Sequence, residues 1–306
     1  MNTAILFPGQ GAQSIGMLSD LNQAFPSIAE TFQEASDALG YDLWSLTQNG
    51  PEDQLNKTEI TQPAILTASI ALWRLYHQQK ANPSISFMAG HSLGEYSALV
   101  AAGVIGLQDG VKLVQLRGQL MQKSVEGQAT AMAAILGLDD QAVIDGCREV
   151  AVGECVEAVN FNCPGQVVIA GVEPAVERAI VALKEKGAKR ALKLAVSVPS
   201  HCALMKPAAE KLAEHIGAMS FNKPSTPIVQ NVGARSVDDL AELKDNLIKQ
   251  LFSPVLWTQS VQYISEKGVD SYVECGPGKV LAGLVKKIDR AASIQSLSDA
   301  EVWNAL

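Results

Sequence analysis

Long apolar runs, paired cysteines and a basic amino-terminal segment are all missing from this 306-residue sequence. The longest weakly apolar run, at residues 98–107, is well short of the ~20 residues that a membrane-spanning helix needs. The opening residues MNTAILFPGQG show neither the basic region nor the long apolar region of a secretory signal. The five cysteines are widely spaced without a C-x-x-C pair, which argues against a disulfide framework and against a zinc site. We therefore expect a cytoplasmic protein that has no membrane segment and no metal site.

Basic residues are in the minority, since 24 lysines and arginines stand against 32 aspartates and glutamates, for a formal net charge of −8. This balance disfavours nucleic acid as a general partner. Hydrophobic residues make up 47% of the chain, so it can bury a sizeable core in one large or two unequal domains. Composition thus predicts a globular protein.

Helix and strand signals alternate along the chain, which is typical of an α/β fold. Residues 3–7 (TAILF) and 84–90 (SISFMAG) are predicted to be short buried strands. Later strands of the same body are expected within residues 226–232 and 269–276.

Two long helices are predicted in the first third of the chain. Residues 26–40 carry apolar side chains at helical spacing and end in Gly40. Residues 61–80 are predicted to form a mostly buried helix, with Thr61 as its N-cap and Pro63 in its first turn.

The middle of the chain has a different order of elements. The predicted elements there are a strand at 131–138, a helix at 139–150, strands at 155–161 and 166–171, a helix at 173–187 and a strand at 188–197. This β-α-β-β-α-β order is that of the ferredoxin-like unit. We predict an inserted small domain at residues 127–196 and a larger α/β domain formed by residues 1–126 and 197–306.

The pattern G-H-S-L-G at residues 90–94 lies between a predicted strand and a predicted helix. In α/β hydrolases, G-x-S-x-G occupies such a strand-to-helix turn and exposes a nucleophilic serine at the helix N-terminus. Ser92 is therefore a candidate nucleophile. The alternative is structural, because Ser92 and Glu95 also have the spacing of a capping box.

A nucleophilic serine needs a base, and the sequence has four histidines. His201 is the best candidate, because it follows a predicted strand and a proline turn. His91 is too close to Ser92 in the chain to act as its base, but it can line the pocket. His77 and His215 lie on helices that look exposed, so we expect surface or structural roles for them.

The segment GQG at residues 9–11 raises the question of a nucleotide cofactor. A dinucleotide-binding G-x-G-x-x-G motif would need glycine at position 14, where this chain has Ser14. No P-loop pattern occurs either. We therefore expect no cofactor.

Seven motifs occur in order along the chain: FPGQGAQ (7–13), TQPAI (61–65), GHSLGEYSAL (90–99), QLRGQLMQ (115–122), VNFNCPGQVVIAG (159–171), SVPSHCALM (197–205) and VECGPGKVL (273–281). Together they resemble the malonyl-CoA:acyl carrier protein transacylases, the acyltransferases of fatty-acid synthesis. The match spans nearly the whole chain, and seven ordered motifs are far more specific than any one of them. The resemblance implies an α/β-hydrolase-like core that carries a ferredoxin-like subdomain.

The resemblance also implies roles for individual residues. Ser92 matches the family's nucleophile and His201 matches its general base. A backbone carbonyl at the position of Gln250 orients the imidazole in this family, in place of an aspartate. The backbone N–H groups of Gln10 and Leu93 match the two donors of the oxyanion hole.

Three further positions match residues of the family's substrate pocket, namely Arg117, Gln62 and Asn160. Arg117 matches the arginine that pairs with the malonyl carboxylate. It lies in the otherwise apolar stripe of VKLVQLRGQLMQ, where a permanently charged group needs an anionic partner. A malonyl carboxylate would supply two parallel hydrogen bonds, although a lone helical arginine is more often solvated or paired at the surface.

Three functions compete at this point. The leading one is transfer of malonyl from malonyl-CoA to the phosphopantetheine thiol of acyl carrier protein, by a monomer and through an ester on Ser92. The second is a thioesterase or esterase in which water resolves the same intermediate. The third is a non-catalytic scaffold that binds acyl carriers. Arg117 and the ordered motifs favour transfer.

Basic residues concentrate in one short segment of this acidic chain, residues 184–193 (KEKGAKRALK). Acyl carrier proteins are acidic, so this segment is a candidate docking surface for one. The alternative is a solvated helix end, since most charge runs are solvated faces.

Overall fold

The strands of the protein form two separate sheets. The computed structural model describes residues 2–80, 83–196 and 198–304. In chain order, the strands are β1 (Thr3–Phe7), β2 (Ile85–Gly90), β3 (Thr130–Leu136), β4 (Val156–Cys163), β5 (Gln166–Val172), β6 (Arg190–Lys193), β7 (Ile228–Gln230), β8 (Arg235–Ser236), β9 (Ser271–Glu274) and β10 (Ser293–Ser296).

The larger sheet has the strand order β10-β9-β1-β2-β7-β8. Its neighbouring strands are parallel, except that β7 and β8 pair antiparallel. Phe7 at the end of β1 pairs with Gly90 at the end of β2, so the loops after both strands leave the same edge of the sheet. Ligands of α/β proteins bind at this carboxyl edge. The loop that carries Gln10 therefore lies beside the turn that carries Ser92.

Helices connect the strands and cover the sheets. In chain order, they are α1 (Ser19–Ala24), α2 (Ser27–Leu39), α3 (Leu43–Asn49), α4 (Glu52–Leu55), α5 (Thr58–Gln79), α6 (Gly94–Ala101), α7 (Leu107–Lys123), α8 (Asp140–Val150), α9 (Glu173–Glu185), α10 (Lys206–Ala218), α11 (Leu240–Gln250), α12 (Trp257–Glu266), α13 (Val280–Ile288) and α14 (Ala300–Trp303), with a 3₁₀ turn at Ala203–Met205 before α10.

Alternate residues of β1 face two different hydrophobic clusters, as expected for a strand with helices on both faces. Ile5 and Phe7 pack with side chains of α2, α5 and α7, whereas Ala4 and Leu6 pack with side chains of α12 and α13. The larger sheet is thus buried on both faces, which confirms the predicted α/β class.

Helices α2 and α5 differ in how well their ends were predicted. Helix α2 ends at Leu39, and Gly40 follows in the left-handed conformation with φ 80°, as its glycine suggested. The N-cap assignment in α5 was wrong, because the helix begins at Thr58 and Lys57 is its N-cap. Thr61 lies inside the helix, where its hydroxyl donates to the Leu55 carbonyl over 2.5 Å.

The smaller sheet has the order β4-β5-β3-β6, and all of its neighbouring strands are antiparallel. Helix α8 connects β3 to β4, and α9 connects β5 to β6, so the predicted β-α-β-β-α-β order is present. The domain limits at 126/127 and 196/197 stay a prediction. Residue 197, where the larger domain is predicted to resume, lies outside the described residues.

The smaller sheet is attached to the larger body along β4. Asn160 forms a parallel bridge with Val255, with Phe161 N donating to the Val255 carbonyl at 3.0 Å and Val255 N donating to the Val159 carbonyl at 2.8 Å. Strand β6 ends at Lys193, earlier than predicted, because the chain after it leaves the sheet and lines the cavity at Ser92.

Within the described ranges, no helix is long and apolar enough to span a bilayer.

Candidate active site

Ser92 occupies a sharp turn between β2 and α6. Its φ is 52°, in the left-handed region that non-glycine residues rarely adopt. A Cβ atom on Gly90 would lie 1.8 Å from the backbone carbon of Gly94, and one on Gly94 would lie 2.0 Å from the carbonyl oxygen of Phe7. Both glycines are therefore required by the close approach of the strand, the turn and the helix, as the G-x-S-x-G pattern predicted.

The capping-box interpretation of Ser92 and Glu95 is wrong. Leu93 is the N-cap of α6, and no side chain caps the helix by a hydrogen bond. The Glu95 carboxylate is instead buried and accepts hydrogen bonds from residues of other elements. The Ser92 hydroxyl does not cap the helix and contacts His201 instead.

Ser92, His201 and Gln250 form a chain of hydrogen bonds. Ser92 Oγ lies 2.7 Å from His201 Nε2, and His201 Nδ1 lies 2.7 Å from the backbone carbonyl oxygen of Gln250. Because a carbonyl oxygen can only accept, His201 Nδ1 carries the proton and Nε2 is free to accept the Ser92 hydroxyl proton. This is the arrangement that the family resemblance implied, with a carbonyl in place of an aspartate.

The electrostatic surroundings keep His201 neutral. Burial, followed by the nearby positive charge of Arg117, lowers the pKa of His201 from 6.5 to about 3. From the sequence alone, an ordinary histidine pKa near ~6.5 is expected. That value applies only where the pocket does not shift it, and here the residue is 1% exposed and shares its pocket with a cation. The imidazole is thus available as a base throughout the neutral range.

Arg117 extends from α7 to the same point and is 1% exposed. Its guanidinium donates to Gln62 Oε1 at 2.9 Å, to Gln250 Oε1 at 3.1 Å and to Ser92 Oγ at 3.5 Å. It also lies 5.3 Å from the centre of the Tyr96 ring. These neutral groups orient the guanidinium without neutralising it.

The charge of Arg117 lacks an ion-pair partner. Among the described residues, no carboxylate lies within 4.0 Å of it, and its Nε atom is buried without a hydrogen-bond partner. Burial lowers the pKa of Arg117, but a guanidinium remains protonated in proteins. The site therefore presents a fixed cation to an anionic ligand.

A cavity of about 110 Å³ opens over these side chains. The predicted site residues that line it are Gln10, His91, Ser92, Leu93, Arg117, Asn160 and His201. Gln62 and Gln250 do not line the cavity, but both contact Arg117. The structure thus brings together every residue that the sequence singled out for the site.

The backbone N–H groups of Gln10 and Leu93, two residues that line the cavity, donate no hydrogen bond within the described part of the chain. The Gln10 loop lies against the serine turn because Gly9 has no side chain, and a Cβ there would be 2.5 Å from the His91 carbonyl oxygen. Two unused donors on the wall of the cavity are suited to bind an oxyanion.

His91 and Asn160 form part of the opposite wall. His91 Nε2 lies 2.8 Å from Asn162 Oδ1, and its ring packs edge-on against Trp257 with the ring centres 5.4 Å apart. Burial lowers the pKa of His91, so this histidine is neutral too. Asn160 Oδ1 is buried without a hydrogen-bond partner among the described residues.

Asn231, which follows β7, also belongs to the site and was not predicted from the sequence. Its Oδ1 accepts from Ser92 N at 2.8 Å, and its Nδ2 donates to the Gly90 carbonyl at 2.7 Å. The available signal was a polar residue near the end of the segment 226–232, in which a strand was expected, because the ends of parallel strands meet at one edge of a sheet. Asn231 holds the turn that presents the Ser92 hydroxyl.

The part of the chain that the structure describes contains no group of three or more histidine, cysteine, aspartate or glutamate side chains that could hold a metal ion.

The acyl transferase domain family matches residues 5–302 of this chain. A malonyl CoA-acyl carrier protein transacylase of Escherichia coli K12 is 55% identical over 302 residues, which cover 99% of this chain and 97% of that protein. This chain belongs to the malonyl CoA-acyl carrier protein transacylase family. The transacylase of Bacillus subtilis is 45% identical over 299 residues, which cover 97% of this chain and 94% of that protein.

Solved structures of transacylases agree in fold. A malonyl-transacylase in complex with a type II PKS acyl-carrier protein superposes with a TM-score of 0.97 at 53% identity, covering 100% of this chain and 98% of that chain. An acyl carrier protein S-malonyltransferase of Vibrio cholerae has a TM-score of 0.96 at 53% identity, covering 100% and 99%. The predicted combination of a parallel-sheet core with a ferredoxin-like unit is thus confirmed as the fold of this transacylase family member.

Proposed function

We propose that the protein transfers the malonyl group of malonyl-CoA to the phosphopantetheine thiol of an acyl carrier protein, through an ester on Ser92. The observation that carries the proposal is the 2.7 Å contact of Ser92 Oγ with a neutral His201, beside the unpaired guanidinium of Arg117. A serine and a base supply acyl transfer, and the fixed cation selects an acyl group that bears a carboxylate.

In the first half-reaction, His201 Nε2 takes the Ser92 hydroxyl proton as Oγ attacks the thioester carbonyl carbon. The carbonyl oxygen becomes an oxyanion, which accepts hydrogen bonds from the N–H groups of Gln10 and Leu93. The carbon–sulfur bond then breaks, and His201 returns the proton to the departing CoA sulfur. Meanwhile, Arg117 holds the malonyl carboxylate.

The second half-reaction runs the same steps in reverse with another thiol. His201 takes the proton of the phosphopantetheine thiol, whose sulfur attacks the malonyl ester. The ester carbon–oxygen bond breaks, and the proton returns to Ser92 Oγ. The enzyme is restored, and each step is a proton transfer or an acyl transfer between the substrates, Ser92 and His201.

The hydrolytic alternative uses the same serine and histidine with water in place of the carrier thiol. The relatives in Escherichia coli and Bacillus subtilis are named transacylases, which favours transfer over hydrolysis. The direct test mixes the protein with malonyl-CoA and a phosphopantetheinylated acyl carrier protein. We expect malonyl-carrier to form in large excess over free malonate; malonate as the main product would make the protein a thioesterase.

We further propose that the protein works as a monomer in the cytoplasm, with malonyl-CoA and an acidic acyl carrier protein as partners and without nucleic acid. Its net charge of −8 supports the last point. A relative with 53% identity was itself solved with an acyl-carrier protein.

The basic segment 184–193 supplies a docking surface for the carrier in this proposal. Lys186 pairs with Glu149 at 2.9 Å and Lys193 pairs with Glu173, so part of its charge is already compensated. Lys189 and Arg190 are exposed and have no ion-pair partner among the described residues. Together with Lys184, which is likewise exposed and has no ion-pair partner among the described residues, they are the cations that an acidic partner can engage.

Cavities that share lining residues lie between this surface and Ser92. Lys189 lines a groove of about 550 Å³ together with Lys287 and Gln166. Gln166 also lines a cavity of about 210 Å³, which shares Gln10 and His91 with the cavity at Ser92. In this proposal, the phosphopantetheine arm enters beside Lys189 and passes Gln166 to reach the serine.

A further inference from the structure

Glu95 is a buried carboxylate that the reaction steps do not use. It lies on α6, three residues after Ser92, and is 0% exposed. Its Oε1 accepts from Gln230 Nε2 at 3.1 Å, and its Oε2 accepts from Asn231 N at 2.8 Å and from Gln250 Nε2 at 3.0 Å. Burying a carboxylate is costly unless such donors compensate it.

Gln250 connects Glu95 to each group of the site. Its Nε2 donates to Glu95 and to the Ser92 carbonyl at 3.0 Å, and this orientation directs Oε1 toward Arg117 at 3.1 Å. Its backbone carbonyl accepts from His201 Nδ1. A flipped Gln250 amide would turn its NH₂ group toward the guanidinium, so the contact between Glu95 and Gln250 sets how Arg117 is held.

Asn231 connects Glu95 to the nucleophile. The Asn231 backbone N–H donates to Glu95, while its side chain accepts from Ser92 N at 2.8 Å and donates to the Gly90 carbonyl at 2.7 Å. Glu95 thereby holds, through one residue, the turn in which Ser92 has its strained φ of 52°.

The three groups around Glu95 all donate hydrogen bonds to it. None of them can rotate to present an acceptor to Glu95 without losing its other hydrogen bonds. The backbone N–H of Asn231 can only donate. Gln230 Nε2 also donates to the Leu243 carbonyl at 3.1 Å, and its Oε1 accepts from Asn246 at 3.0 Å. A protonated Glu95, or a glutamine in its place, would therefore direct a hydrogen toward a donor.

We infer that the ionised carboxylate of Glu95 is a positioning residue for acyl transfer, because it holds Gln250 and Asn231 in the orientations that fix Arg117, His201 and the Ser92 turn. The inference rests on the proposed function of this same site. It adds a residue that touches neither the substrate nor the reacting atoms.

The carboxylate of Glu95 is expected to take up a proton near neutral pH. Burial raises the pKa of Glu95 to about 7, against the lowering effect of its three N–H donors and of Arg117. Arg117 on α7 and Tyr96 on α6 are the titratable groups that interact with it, and Tyr96 is neutral because its pKa is raised to about 12. The positioning contacts are complete above pH 7 and are lost as Glu95 takes up a proton below it.

His201 and Glu95 thus have different expected effects on the pH dependence of activity. His201, with a pKa of about 3, stays neutral through this range, so an acid limb of activity near pH 7 belongs to Glu95. Glu274 provides a matched control. It is 0% exposed, its pKa is likewise raised to about 7 by burial, and it accepts N–H bonds from Leu281 and Ala282 rather than from Gln250 or Asn231.

The experiment compares wild type, Glu95→Gln, Glu95→Asp and Glu274→Gln between about pH 5 and 9. Two rates are measured, malonyl transfer and labelling of Ser92 by a fluorophosphonate, since the second does not depend on the natural substrate. Wild type and Glu274→Gln should share an acid limb near pH 7. Glu95→Gln should lose that limb and lower kcat at pH 8 about tenfold, equivalent to ~1.4 kcal/mol, with a smaller change in KM. Glu95→Asp keeps a carboxylate and should retain a limb, at a shifted pH.

Several outcomes would overturn the inference. The inference fails if Glu95→Gln keeps the acid limb of the pH profile and the kcat of wild type. It also fails if Glu274→Gln loses that acid limb. If circular dichroism shows that Glu95→Gln does not fold, Glu95→Asp decides: a limb at the wild-type pH would contradict a titration at residue 95. A wild type that reacts with the fluorophosphonate but transfers no malonyl would refute the proposed function alone.

Discussion

Arg117 Nη2 lies 3.5 Å from Ser92 Oγ, so an unpaired buried cation adjoins the proposed nucleophile. A malonyl group on Ser92 carries a carboxylate that can pair with this cation, and an acetyl group does not. A charge-assisted hydrogen bond contributes about 1.5–3 kcal/mol, which corresponds to ~10- to 150-fold in discrimination. Arg117→Ala should therefore lower kcat/KM for malonyl-CoA at least about tenfold while leaving acetyl-CoA unchanged or improved.

The measurement is steady-state transfer of both acyl groups by wild type, Arg117→Ala and Arg117→Lys. Lysine should restore only part of the preference, because it keeps the charge but cannot form two parallel bonds. Arg148→Ala is the control, since Arg148 is an exposed arginine of α8. An unchanged malonyl-to-acetyl ratio in Arg117→Ala would show that selectivity resides elsewhere.

His201 is expected to act as the base, because its Nε2 contacts Ser92 Oγ at 2.7 Å while Nδ1 is held by a carbonyl. His201→Ala should lower kcat/KM for acylation by at least ~10²-fold, as for a positioned base. Rapid-quench acylation by malonyl-CoA measures this. The controls are His77→Ala and His215→Ala, whose side chains are exposed on α5 and α10 and should matter little. A His201→Ala rate within a few-fold of wild type would refute the role.

Ser92 could be predicted from a local pattern and His201 from its place after a strand and a proline turn, whereas most of the other site residues were implied by the resemblance to the transacylase family. The two glycines around Ser92 indicate a tight turn. The structure shows that a side chain at either glycine position would clash with backbone atoms. The β-α-β-β-α-β order was also readable, because alternating apolar strands and amphipathic helices are local signals.

The rest depends on contacts between distant parts of the chain. Asn231 and Glu95 are separated by more than a hundred residues, and only the pairing of β7 with β2 brings them together. The pKa of His201 is set by its burial and by the charge of Arg117. The spacing of apolar residues in the sequence reveals neither of these. The start of α5 was misjudged because the Thr61 hydroxyl bonds to the Leu55 carbonyl and does not cap the helix.

Lys189 and Arg190 are expected to steer the acyl carrier protein to the groove beside them. Replacing both with glutamate should raise KM for the carrier and weaken its salt dependence, while acylation by malonyl-CoA stays nearly unchanged. The two half-reactions are measured separately over a range of ionic strength.

The matched control replaces Lys112 and Lys211 with glutamate, because both are exposed lysines, on α7 and α10, and the change in net charge is the same. This control should leave KM for the carrier close to that of wild type. Equal effects of the Lys189 and Arg190 replacements on both half-reactions would contradict a docking role.

The covalent intermediate on Ser92 is the central claim, and intact-mass spectrometry tests it most directly. Malonyl-CoA alone should add one malonyl group to the protein, mapped by proteolysis to the peptide that contains Ser92. Ser92→Ala should abolish the addition. Ser97→Ala should retain it, because Ser97 is a buried serine of α6, the helix after Ser92, and its hydroxyl has no hydrogen-bond partner among the described residues. A malonyl adduct that persists in Ser92→Ala would contradict the account.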